Sequence, residues 1–150
     1  MLAAYRETGY NVMLFLHILT VLVAFAPAFV HPLLAREAQD FEPTVRGRLI
    51  GAMSANGRRI YAPALILAGL FGLAMQGMSD SVVEFGQTWF WLSIVIWIAM
   101  NGVVHGMILP GERAVAGGDQ SAIRKVDLGG LLITVLLLVT LYLMVFKPGF

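Results

Sequence analysis

The sequence predicts an all-α fold, a transmembrane four-helix bundle with both termini outside and two basic cytoplasmic loops. Three observations carry that expectation. First, 59% of the 150 residues are hydrophobic and only 13% are charged, with a mean hydropathy of +0.81. Soluble domains lie near 45–50% apolar and about a quarter charged, so a core this small has no room for the excess. Second, four apolar stretches each approach the ~20 residues that a helix needs to cross ~30 Å of hydrocarbon. Third, the basic residues are gathered into alternate connections between those stretches.

The first span is expected from about Asn11 to Leu34 and the second from Ile60 to Met78. The third is expected from Trp89 to Leu109 and the fourth from Leu128 to Phe146. In lipid each must satisfy its own backbone hydrogen bonds, which an isolated strand cannot do and a helix can. Together they form one integral membrane domain, 1–150. The first span contains Ala24-Phe25-Ala26, a small-x-small pattern like a signal-peptide cleavage site. Pro27 follows it directly and the apolar run continues to Leu34, too long for a secretory signal. The reading is a retained helix, with Pro27 a place for a kink.

Orientation follows from charge. The connection from Ala35 to Arg59 carries Arg36, Arg46, Arg48, Arg58 and Arg59. The connection from Pro110 to Asp127 carries Arg113, Arg124 and Lys125, whereas that from Ser79 to Thr88 carries Asp80 and Glu84 and no base. Eight of the ten basic residues thus lie in two alternate loops, which the positive-inside rule assigns to the cytoplasm. The aromatic residues Tyr5, Tyr10, Trp89, Trp91 and Tyr142 then mark the outer boundary and Tyr61 the inner one. Within the first basic loop, Val45, Leu49 and Met53 recur every four residues among Arg46 and Arg48. That pattern fits an interfacial helix, an extension of the second span or a solvated loop. A short echo, Val30-His31 before Ala-Arg-Glu and Val104-His105 before Gly-Glu-Arg-Ala, fits either a duplicated two-helix unit or chance.

Composition also excludes several kinds of chemistry. With no cysteine, disulfides, thiolate metal sites, iron–sulfur clusters and covalently attached haem are ruled out. No basic face or motif for nucleic acid is present. No phosphate-cradling glycine loop, zinc-protease motif or nucleophile elbow occurs, and the expected spans hold no acid, Lys or Arg. Catalysis at membrane depth would depend on a cofactor, so the chain reads more readily as a non-enzyme.

Polar residues inside a membrane are costly and are the first candidates for function. His17, Thr20, Ala24, Ala28 and His31 form a polar and small stripe on the first span, the two histidines lying within roughly 40° of each other. Asn101 and His105 lie one turn apart on the third span, interleaved with Gly102 and Gly106. At the helical rise, His17 lies roughly 9 Å below the outer start of its helix, and His31 and His105 lie about 30 and 24 Å below theirs. His31 and His105 are therefore the pair expected to share a haem or metal, with His17 acting alone. Such residues also serve as interhelical hydrogen-bonding glue worth under about 2 kcal/mol. Ala64, Ala68 and Gly72 form one small-xxx-small ladder and Gly102 and Gly106 another, each suited to close helix packing within the bundle or against another subunit. The fourth span, interrupted only by Thr134 and Thr140, is expected to face lipid or a partner.

In layout over nearly its whole length, the chain resembles a bacterial family of predicted four-helix integral membrane proteins of unknown function. The local features are Phe15-Leu16-His17, Arg59-Ile60-Tyr61-Ala62-Pro63, Pro110 at the end of the third helix, and Leu143-Met144-Val145-Phe146-Lys147-Pro148-Gly149. Leu16-His17 followed by Pro32-Leu33 is similar, more distantly, to the first helix of HemJ-type protoporphyrinogen oxidases, and the copper-resistance D membrane proteins share a related layout. That likeness implies b-type haem at His17. The third helix departs from it, because Trp91 is followed by Leu92, Ser93 and Ile94 where that family carries a lysine. The resulting expectation is a non-catalytic subunit or assembly factor of a larger bacterial inner-membrane complex, plausible partners being respiratory. The competing expectation is a redox protein holding haem b or copper on His31 with His105, or on His17 alone. A permease is the third, disfavoured because no polar path crosses the midplane.

Overall fold

The computed structural model describes residues 2–78 and 86–148, with side chains from residue 8 onward. The acidic connection with Asp80 and Glu84, the Tyr5 side chain and Gly149 lie outside the described residues. Four helical rods, each long and apolar enough to cross a membrane, make up the fold, and the protein is a multi-pass membrane protein. The described residues contain no strand.

The first rod, α1, runs from Leu2–Glu37 and passes through Pro27 and Pro32 without ending. A short 3-10 turn, Ala38–Asp40, follows. Glu42 is extended (φ −49°, ψ 140°), as suits a residue before proline, and Pro43 opens the next helix at a position where its missing N–H is no loss. That helix, α2 (Pro43–Asn56), passes through a π-helical turn, Gly57–Tyr61, into α3 (Ala62–Gly77). The resulting rod is about 52 Å long by helical rise, well beyond the ~30 Å of hydrocarbon. Of the readings open for the first basic segment, the structure selects an extension of the second span. The extension packs against its counterpart from the third rod.

The third rod repeats the arrangement in reverse. Helix α4 (Thr88–Val103) passes through a π-helical turn, Val104–Ile108, into α5 (Leu109–Ala116). The expectation that Pro110 ends this helix is corrected: the helix continues for a further turn and more. The reason is local. A proline in a regular helix loses one hydrogen bond, and its ring meets the carbonyl four residues earlier. Here Leu109 N–H reaches back to Val104 O, five residues away, and Ala62 N–H reaches Gly57 O in the same way. Each wide turn ends two residues before a proline, Pro63 or Pro110, and relieves the crowding just where the ring enters.

The fourth rod begins earlier than expected. Asp119 accepts the Ser121 N–H at 3.0 Å and shapes a 3-10 turn, Gln120–Ala122, which leads into α6 (Ile123–Phe146). Lys147 ends α6 in the left-handed region (φ 43°), and its Nζ lies 5.6 Å from the ring centre of Trp89 at the start of α4. Helix α1 packs along α3, α4 along α6 and α2 against α5, while the seam between α1 and α6 is thin. Phe25, Leu65, Trp89, Phe90, Ile96, Met100, Ile133, Leu137 and Leu143 form the core.

Outside that core the rods are bare. Only 6% of the most apolar window of the first rod is buried, and at most 28% of any other. Leu22, Phe29, Leu33, Leu131 and Leu138 are all more than half exposed, so these faces need hydrocarbon around them. The ladder on α3 is used inside the bundle: Ala64 and Ala68 are buried, and Gly72 meets His17. Gly69 adds to it. A Cβ there would lie 2.1 Å from Trp97 Cε2, and the bare backbone lets Trp97 Nε1 donate to Leu65 O at 2.8 Å. At Gly102 and Gly106, by contrast, a Cβ would meet nothing within 4 Å.

Candidate functional site

The stripe on α1 divides into two environments. His17, in the upper half, faces α3 and its Nδ1–H donates to the carbonyl of Ala68 at 2.7 Å. A Cβ at Gly72 would lie 3.3 Å from His17 Cε1, a tight contact that the glycine spares the ring. Thr20, one turn on, donates back to the carbonyls of Leu16 and His17. His17 thus acts as interhelical glue.

From Ala24 onward, the stripe lines a cavity of about 620 Å³ to which all four rods contribute in the arginine-rich half. Its apolar wall includes Phe25, Leu65, Ile108 and Ile133, and its polar groups include His31, Tyr61 and Glu112. His31 Nδ1 lies 3.3 Å from Glu112 Oε1, with the two side chains 19% and 7% exposed. Tyr61 stands edge-on to the His31 ring, centroid to centroid 5.8 Å. Glu112 Oε2 is buried with no hydrogen-bond partner among the described residues. Gly57, in the first π-turn, lets Leu109 pack close: a Cβ there would lie 2.9 Å from Leu109 Cδ2 and in ordinary contact, 3.5 Å, with Oε2. Arg36, Arg46 and Asp127 line the same cavity at its charged end.

A carboxylate can only accept, so it holds the proton of a neutral imidazole on Nδ1, and it forms an ion pair when the ring is protonated. Either way Glu112 fixes the ring and leaves Nε2 as the nitrogen available for a ligand. This is the arrangement in which a carboxylate orients a metal-binding histidine. The cavity volume falls within the ~300–1,000 Å³ typical of sites for small molecules.

The expected pairing of His31 with His105 does not form. His105 is exposed, its Nδ1 donates to Asn101 O at 3.0 Å on its own helix, and it lines a separate outer groove of about 430 Å³. Depth placed the two histidines at one level, but rotation about α4 and the π-turn puts them on different faces. Asn101 bonds in the same self-contained way, donating Nδ2 to Trp97 O at 2.9 Å. Among the described residues, no group of three or more His, Cys, Asp or Glu is gathered as a metal site.

Glu112 is the residue that sequence reasoning missed, because ending the helix at Pro110 assigned it to a loop. The available signal was the run after Pro110, Gly-Glu-Arg-Ala-Val-Ala: an acid in a first turn opened by proline, followed by good helix formers. Continued at 1.5 Å per residue from Trp89, it reaches about 34 Å, close to the level of His31. Protein-family models, curated proteins and solved structures, searched in turn, return no match to this chain.

Proposed function

We propose that this protein is a bacterial inner-membrane protein that holds an amphipathic, anionic small molecule in the central cavity, with His31 as the contact residue. The observation that carries this reading is the His31–Glu112 pair, 3.3 Å apart and largely buried, in the wall of that cavity. Holding two ionisable groups out of water is costly unless they are put to use or mutually satisfied, and Glu112 Oε2 is left unsatisfied.

Haem b is the group that the donor set suits best. A histidine nitrogen would hold it, and His31 Nε2 is available for that role. Apolar walls suit a macrocycle, and Arg36 and Arg46 suit its carboxylates. Copper would need several ligands together, and the described residues gather no group of three or more His, Cys, Asp or Glu. When bound, haem would supply one-electron chemistry. The chain's own residues would orient it and keep water away from its apolar faces.

A second reading, a subunit or assembly factor of a larger membrane complex, is favoured by Gly102 and Gly106. Their open ladder has no partner helix within the bundle, and both residues are exposed. The two readings are compatible. On the positive-inside rule, the arginine-rich end is cytoplasmic.

The test is an absorbance spectrum and native mass spectrum of the protein purified in mild detergent. A Soret band or retained small molecule near one per chain is expected, lost in His31→Ala and kept in His17→Ala and His105→Ala. A colourless protein that retains no small molecule would overturn the reading.

A further inference from the structure

The outer groove that holds His105 has chemistry of its own. It lies between the second and third rods, on the face away from the central cavity, and both π-turn regions contribute to it. Its charged side consists of Arg58 from the first π-turn, His105 from the second and Arg113 from α5. Its apolar side consists of Ala62, Pro63, Ile66, Leu109 and Pro110. Arg58 donates Nη1 to the buried Ser54 Oγ at 3.1 Å, which holds the base of its guanidinium in place. Neither arginine forms an ion pair within the described residues, where His31 pairs with Glu112, and no acid lines the groove. Two guanidinium groups from different helices therefore share a depression with no anion to balance them.

The groove is also amphipathic along the helix axis. Ile66 is 40% exposed and lies roughly 12 Å along the rod from Arg58 by helical rise. That separation takes the groove from the level of a headgroup phosphate into the hydrocarbon of the upper acyl chains. A guanidinium pairs with phosphate oxygens in a bidentate manner, and basic pockets between membrane helices at the inner leaflet suit anionic headgroups.

We propose that this groove binds the headgroup of an anionic phospholipid, its phosphate between Arg58 and Arg113 and its upper acyl carbons against Ile66 and Pro63. The lipid would clamp the two extended rods together at the level of their π-turns. A zwitterionic lipid carries the same phosphate but brings its own ammonium beside the two guanidinium groups, and so binds more weakly.

The experiment is native mass spectrometry of the full chain in detergent, titrated separately with phosphatidylglycerol and phosphatidylcholine. Phosphatidylglycerol should be retained in preference, and the R58Q/R113Q variant should lose about thirtyfold in affinity for it, at roughly 1 kcal/mol for each arginine removed. The R48Q/R124Q variant, which removes equal charge outside the groove, should bind like the unaltered protein. Equal losses in both variants would reduce the effect to general surface charge and overturn the proposal. So would equal retention of the two lipids, or displacement of the lipid by an equal concentration of inorganic phosphate. All four arginines are exposed, so both variants should stay folded, with a small lowering of the melt in R58Q/R113Q from the lost bond to Ser54 Oγ.

Discussion

Glu112 on α5 places Oε1 3.3 Å from Nδ1 of His31 on α1, joining the first and third rods inside the arginine-rich half of the bundle. With the carboxylate only 7% exposed, each group is the other's main compensation for lost hydration. His31→Ala should therefore destabilise the fold by about 3–5 kcal/mol, the cost of stranding a buried charge. The double change His31→Ala with Glu112→Leu should recover much of that loss. Unfolding in mixed micelles measures both, and additive losses would show that the pair is not coupled.

Gly69 and Trp97 set the distance between α3 and α4. A methyl group at 69 would lie 2.1 Å from Trp97 Cε2, so Gly69→Ala must push the indole away and break its bond to Leu65 O. A loss of about 1–3 kcal/mol is expected from overpacking, with a change in Trp fluorescence. Gly77→Ala, where nothing lies within 4 Å, should be nearly silent.

His17→Ala removes the bond to Ala68 O and should cost about 0.5–2 kcal/mol of stability. Occupancy of the cavity should be unchanged, because the ring faces α3 in the other half of the first rod. A Soret band that disappears with His17 while the protein remains folded would move the ligand from His31 to His17.

Gly102→Leu and Gly106→Leu add bulk where no atom of the bundle is within reach. Monomer stability should change by less than about 0.5 kcal/mol. A specific assembly that uses this ladder should dissociate, as read by crosslinking in native membranes. Unchanged crosslinking would assign the face to lipid.

Because the chain has no cysteine, single cysteines report its topology cleanly. Cysteine at Gln39 and at Gly118 should be labelled from one side of the membrane by an impermeant reagent, and cysteine at Gly86 from the other. Labelling of all three from one side would contradict the four-span arrangement.

The sequence alone determined the architecture, since hydrocarbon imposes a simple test that single residues pass or fail. A run of about twenty apolar residues must become a helix there, and a loop dense in arginine marks its own side. The spans, the ladder of Ala64, Ala68 and Gly72, and the polar stripe holding His17 and His31 were all legible at that level. Tertiary structure alone decided which faces meet. Pro110 looked like a terminator until the wide turn before it relieved the ring, and that turn carried Glu112 inward. The same turn directed His105 outward, away from the His31 it matched in depth. Depth adds up residue by residue along a helix and can be counted. Direction depends on every local change in winding, and one residue gained in a turn moves all that follow by about 100°.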